Sequence, residues 1–107
     1  ILSLLLKNEK SYILNVSSIA AFSPLPYKMV YPATKAFIYS FSMGLNAEFR
    51  HKGLRVSVVH PGAMPTNQDI LNRIKKQGWL GRIGTTKPEV VAKIAIRGAL
   101  SGQSVIV

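Results

Sequence analysis

Apolar and polar positions along this chain switch repeatedly between two rhythms, one helical and one extended. Residues 1–7, ILSLLLK, read as the end of an apolar helix, closed by the polar turn KNEKS. YILNV, residues 12–16, is rich in apolar and β-branched side chains and predicts a short strand. SSIAAFSPLPYK follows, with Pro24 and Pro26 marking a loop. From Val30 to Lys52 the period is that of a helix. Ala33, Phe37, Phe41, Leu45 and Phe49 recur at every fourth position, with Ala36, Ser40 and Gly44 beside them. This stripe is expected to be core or a subunit interface. Pro32 fits only in the first turn, where its missing N–H is no loss, so Tyr31 lies at the helix start. Gly53 is a good stop.

LRVSVVH, residues 54–60, predicts a second strand, buried because of Val56, Val58 and Val59. PGAMPT breaks it. Residues 67–77 are expected to form a polar helix, and GWLGRIG, with glycines at 78, 81 and 84, a flexible connection. Thr86 and Glu89 have the spacing of a capping box, with Pro88 in the first turn. The helix they open should run to about Ser101, burying Val90, Val91, Ile94, Ala95 and Leu100. SVIV predicts a last strand. Strands alternating with helices predict an α/β fold around a parallel sheet in one domain.

Composition narrows the possible chemistry. The chain has 107 residues, 48% hydrophobic and 17% charged, the profile of a globular protein. It has no cysteine, which excludes a disulfide framework and a thiolate metal site. Two histidines, His51 and His60, and four acidic residues give little material for structural zinc or calcium. The net charge of +10 invites a nucleic-acid reading. The basic residues are scattered, however, and the densest cluster is RIKK at 73–76. No run reaches the roughly five or six like charges of a basic tail, so nucleic-acid binding is not favoured. An acidic remainder in a longer protein accounts for the imbalance equally well. The apolar start, ILSLLL, is shorter than a signal-peptide core and far too short to span a membrane. A cytoplasmic protein with no membrane partner is expected. The first residue is Ile rather than Met, so the chain is expected to belong to something longer.

Both principal strands end in residues suited to a site. Ser17 and Ser18 follow the first; Pro61 and Gly62 follow the second. In open parallel sheets ligands bind beyond the carboxyl ends of the strands. Tyr31 begins the helix that leaves this edge, and Lys35 lies one turn on, on the same face. A free tyrosine holds its proton at neutral pH, with a pKa of about 10. A nearby ammonium favours the phenolate, and a general acid–base works best when its pKa approaches the operating pH. Ser18 can hydrogen-bond the substrate oxygen. These roles suit interconversion of a carbonyl and an alcohol, with the hydride coming from a cofactor. The plainer readings are a surface Tyr–Lys pair, a turn cap at Ser17, a strand-end His60 and an exposed His51. Without a G-x-S-x-G motif a serine hydrolase is poorly supported. Trp79 either covers a substrate or anchors its loop.

The ordered set NVSS, YPATKA and V-x-P-G-x-x-x-T resembles the classical short-chain dehydrogenase/reductases. Tyr31 and Lys35 fit the family's Y-x-x-x-K, Ser18 lies thirteen residues before the tyrosine, and Pro61, Gly62 and Thr66 fit its P-G…T element. The resemblance covers nearly the whole chain. It implies the C-terminal half of a Rossmann-type doubly wound parallel sheet, so that 1–107 is part of an NAD(P)-binding domain. It implies that Tyr31 is the general acid–base, that Lys35 binds the nicotinamide ribose and lowers the tyrosine pKa, and that Ser18 orients the substrate oxygen. Pro61, Gly62, Ala63, Met64 and Thr66 would line the nicotinamide, with the cofactor NAD or NADP. Residues 67–84 would be the substrate loop. The helix carrying Tyr31 would pack against its copy in a homo-oligomer. Met64, Leu71, Ile74, Trp79 and Leu80 fit an apolar lining for a fatty or steroid-like carbonyl. Two family elements are missing from this sequence: the glycine-rich TGxxxGxG turn and the N-N-A-G element with its catalytic asparagine. These 107 residues alone are therefore expected to bind NAD(P) poorly and to be inactive. The alternative is a non-catalytic remnant or interaction module of the same fold. Epimerases and dehydratases among the extended relatives share the Tyr–Lys pair, but HPGAMPT favours the dehydrogenases.

Overall fold

A computed structural model of the chain describes residues 1–23, 26–62 and 87–107. A short helix, α1 (Leu2–Leu6), leads through a polar turn into strand β1 (Ser11–Val16). Helix α2 (Val30–Phe49) then crosses to strand β2 (Leu54–Val59), and helix α3 (Pro88–Leu100) precedes strand β3 (Val105–Ile106). The sheet order is β1-β2-β3 and both pairings are parallel. Ser11 lies opposite Leu54 and Val16 opposite Val59, while Val59 also pairs with Ile106. The expected α/β fold with a parallel sheet is the fold observed.

Gly53 sets the register of β1 on β2. It ends the short 3-10 turn Arg50–Lys52 with φ at 87°, and its carbonyl accepts the N–H of Ser11 at 2.9 Å. That dihedral favours glycine, and a Cβ there would collide with the Glu9 carbonyl oxygen. The stop expected at Gly53 thus closes the 3-10 turn that follows α2, whose last residue is Phe49.

Alternate residues of the strands face opposite helices. Leu14, Val59 and Ile106 pack with Val91 and Ala95 of α3. On the other face Asn15 and His60 reach Ser42 and Tyr39 of α2. β2 lies between the other two strands, and Leu54, Val56, Val58 and Val59 are all buried there.

One predicted helix face is narrowed to one of its two readings, and another turns out differently. On α2 the buried residues are Pro32 and Ser42, whereas Phe37 is 67% exposed and Phe41 55% exposed. The small hydroxyl of Ser42 and the amide of Asn46 face the strands and make hydrogen bonds that no phenyl ring could replace. Phe37 and Phe41 instead stack on each other, centroids 5.8 Å apart, so this stripe is not core within the chain. On α3 the buried residues are Ala95, Gly98 and Ala99, while Val90, Ile94 and Leu100 are exposed. A Cβ on Gly98 would lie 2.8 Å from Ile106 Cδ1, so small residues let helix and strand approach closely. The cap differs too. The helix starts at Pro88 with Lys87 in the N-cap position, one residue later than the capping box requires, and Thr86 lies outside the described residues. The stretch Ser18–Phe22, expected as loop, contains a 3-10 turn over Ile19–Phe22. The helix expected over 67–77 and the GWLGRIG connection, with Trp79, also lie outside the described residues. Among the described residues no helix is long and apolar enough to cross a membrane.

Candidate active site

The end of β1 is stitched to both neighbouring elements. Ser17 is buried; its N–H donates to Val59 O at 2.8 Å, and its hydroxyl donates to the Lys35 carbonyl at 2.8 Å. Ser18 is extended, with φ −161° and ψ 157°, and caps the following 3-10 turn by accepting the Ala20 N–H at 3.2 Å. The cap uses a lone pair of Oγ, so the hydroxyl hydrogen stays available for an external acceptor. The Ser18 carbonyl accepts from Ala21 N–H at 3.0 Å and meets His60 Nδ1 at 3.1 Å. Ile19 N–H reaches Pro61 O at 3.2 Å, which ties the serine segment to the residues following β2.

Tyr31 and Lys35 occupy the first turns of α2. Pro32, buried between them, is tolerated because its ring falls where the helix needs no donor. Tyr31 is half exposed, and Lys35 Nζ lies 5.5 Å from the centroid of its ring, within cation–π range. The ammonium thus stays beside the phenol, on the helix turn whose carbonyl Ser17 holds. Ser17, the residue beside Ser18, therefore links the serine segment directly to the Lys35 turn, and Pro61 adjoins through Ile19. A solvent-accessible phenol with an ammonium over its ring can exchange a proton with a bound oxygen atom.

Pro61 and Gly62 border a hollow of about 200 Å³ beyond the carboxyl ends of β2 and β3, shared with Ile19, Val91, Ile106 and Val107. Ala63, Met64 and Thr66 lie outside the described residues, as do Leu71, Ile74 and Leu80. A second hollow of about 330 Å³ opens between the 3-10 turn and the start of α2, lined by apolar groups including Ala20, Phe22, Met29 and Ala36. Neither Ser18 nor Tyr31 lines it. Among the described residues no group of acidic and histidine side chains is arranged to hold a metal ion.

Several supporting residues escaped sequence reasoning. Asn15 Nδ2 donates to Ser42 Oγ at 2.8 Å, Ser42 donates to Ile38 O at 2.7 Å, and Asn46 Oδ1 accepts the Val56 N–H at 3.0 Å. Together they lock α2 onto the sheet and so set the height of Tyr31 and Lys35 above it. Asn15 and Ser42 lie 27 residues apart and Asn46 and Val56 ten, so no local pattern announces these two pairs. His60, read as a strand-end residue, directly follows the last residue of β2 and is fully buried. His51 is exposed, as expected.

Residues 1–77 match the family described as short chain dehydrogenase. The chain is 36% identical to a 3-oxoacyl-[acyl-carrier-protein] reductase of Chlamydia trachomatis, over 95% of this chain and 43% of that protein. It is 45% identical to mouse 17-beta-hydroxysteroid dehydrogenase type 3, over 54% of this chain and 19% of that protein. Among solved structures, an NADPH-bound short chain oxidoreductase from Pseudomonas aeruginosa superposes with a TM-score of 0.77 at 26% identity. That match covers 98% of this chain and 47% of the other. The chain thus spans less than half the length of these relatives. The matched residues carry the tyrosine, the lysine and the serine segment on a parallel α/β sheet: this chain belongs to the short-chain dehydrogenase family.

Proposed function

We propose that this chain is the C-terminal portion of a single NAD(P)-binding, Rossmann-type domain, in an oxidoreductase that interconverts a carbonyl and an alcohol. The observation that carries the reading is the Tyr31–Lys35 pair, one turn apart, with Ser17 holding the lysine's carbonyl and Ser18 beside it. Tyr31 is the general acid–base: its O–H protonates the nascent alkoxide in reduction and takes the proton back in oxidation. Lys35 favours the phenolate that results and reaches the nicotinamide ribose. Ser18 donates its free O–H to the substrate oxygen and holds it against the phenol.

The residues present fit the nicotinamide end of such a cofactor. The hollow at Pro61 and Gly62 opens at the strand ends, where dinucleotides bind in open parallel sheets. Ala63, Met64 and Thr66 would continue its lining. The cofactor, NAD or NADP, supplies or accepts the hydride. The glycine-rich turn for its pyrophosphate is assigned to the remainder of the parent protein. The substrate is a small molecule whose carbonyl sits on an apolar body, supported by the apolar hollow beside the serine segment and by relatives that act on oxoacyl and steroid groups. The exposed Phe37–Phe41 stack on α2 supports a homo-oligomer formed through this helix.

The test is Tyr31→Phe in the intact parent. Turnover should fall to background while binding of NADPH or NADH, followed by cofactor fluorescence, stays nearly unchanged. Retained turnover would sink the proton-donor role.

A further inference from the structure

His60 is 1% exposed and takes no part in the proposed proton transfer. Its backbone N–H donates to Ile106 O at 2.8 Å, which anchors the residue to β3. Its ring lies between Phe22, 4.5 Å away by centroids, and Tyr39, 5.2 Å away. Packing alone does not call for a histidine here. A phenylalanine would fill the same aromatic gap, whereas the histidine leaves Nε2 buried with no partner among the described residues. An unpartnered buried nitrogen opposes stability. What the imidazole adds is the contact of Nδ1 with the Ser18 carbonyl at 3.1 Å. A carbonyl only accepts, so a hydrogen bond at this contact requires the proton on Nδ1.

The geometry of that contact is specific. Ser18 C=O and Ile19 N–H belong to one peptide unit. The carbonyl end is held by His60 in addition to the Ala21 N–H of the 3-10 turn, and the N–H end donates to Pro61 O at 3.2 Å. Consecutive residues after β2 therefore grip both ends of a single peptide plane. A peptide fixed at both ends fixes ψ of Ser18, and with it the direction of the Ser18 side chain.

We infer that His60 is a positioning residue for Ser18: its Nδ1–H clamps the Ser18–Ile19 peptide so that the serine hydroxyl faces the substrate oxygen. The inference rests on the reading of Ser18 as the substrate-orienting group. It assigns to the histidine before Pro61 a function in the reaction, exerted through the serine backbone.

The experiment compares two variants in the intact parent. His60→Phe keeps the aromatic fill and removes the donor. His60→Asn loses the ring but keeps an N–H donor near the Nδ1 position. His60→Phe should lower kcat, read at saturating cofactor because His60 also borders the hollow at Pro61 and Gly62, about three- to tenfold, the worth of one hydrogen bond. His60→Asn should recover most of that loss even if it melts earlier. A phenylalanine variant with wild-type kcat, or an asparagine variant no faster than phenylalanine, overturns the proposal. Should His60→Phe fail to fold, the asparagine variant and ring spectroscopy decide. Long-range 1H–15N correlation of the wild-type His60 ring should show protonated Nδ1 and bare Nε2. The opposite tautomer overturns the clamp whatever the activity. A parent with no carbonyl or alcohol turnover sinks the functional reading and the positioning role with it, while the tautomer still reports on the hydrogen bond.

Discussion

Replacing Ser17 by Ala tests how the serine segment is coupled to the helix that carries Lys35. Ser17 is 3% exposed, and its hydroxyl donates to the Lys35 carbonyl at 2.8 Å. Lys35 lies inside α2, where helix geometry also supplies its carbonyl with the N–H four residues on. Removing the hydroxyl therefore leaves no acceptor without a partner. Only the net worth of one neutral hydrogen bond is lost, about 1 kcal/mol. Ser42→Ala is the contrasting change. Ser42 is fully buried and accepts the Asn15 amide at 2.8 Å. Its loss strands a donor in a partly buried site, and the expected cost is about 2 kcal/mol. Urea unfolding of the intact protein should show both midpoints lowered at constant m-value, with Ser42→Ala the larger shift. Because Ser17 holds the lysine turn, its variant should also turn over several-fold more slowly. If the two costs come out in reverse order, or if Ser17→Ala loses more than about 3 kcal/mol, the hydrogen-bond accounting is wrong.

Other outcomes follow from particular positions. Gly53→Ala should destabilise the protein by about 2 kcal/mol or more, since it combines a left-handed dihedral with a collision against the Glu9 carbonyl. A neutral result in thermal or urea unfolding would mean that the β1–β2 register is not set there. Phe41→Glu places a charge in the exposed Phe37–Phe41 stack. It should shift the intact protein to smaller species in light scattering while leaving the monomer's circular dichroism unchanged; an unaltered mass would rule out assembly through this face.

The architecture was readable from local pattern. Alternating strand and helix periods, Pro32 in a first turn and Gly53 after the last turn placed the three strands and three α-helices to within a few residues, while the 3-10 turn Ile19–Phe22 fell in a stretch read as loop. The end of the first strand at Ser17 and Ser18 and the helix start at Tyr31 are local signals of the same kind. Those signals are local because backbone geometry is local: a period of four, a proline without its N–H and a glycine at positive φ each act within a few residues. What tertiary structure decided was which side of each helix meets the sheet. The fourfold stripe of α2 pointed to Phe37 and Phe41, yet Ser42 and Pro32 are the buried residues. On α3 the contact falls on Ala95, Gly98 and Ala99 rather than on Val90, Ile94 and Leu100. Apolar periodicity records how much surface a helix can bury, not against which neighbour. Close approach to a parallel strand selects small side chains, and a buried polar group selects one that can answer it. Ser17 with Lys35, Asn15 with Ser42 and His60 with Ser18 are pairs of that kind. Each joins residues 18, 27 or 42 positions apart, and only the folded chain brings their donors and acceptors within reach.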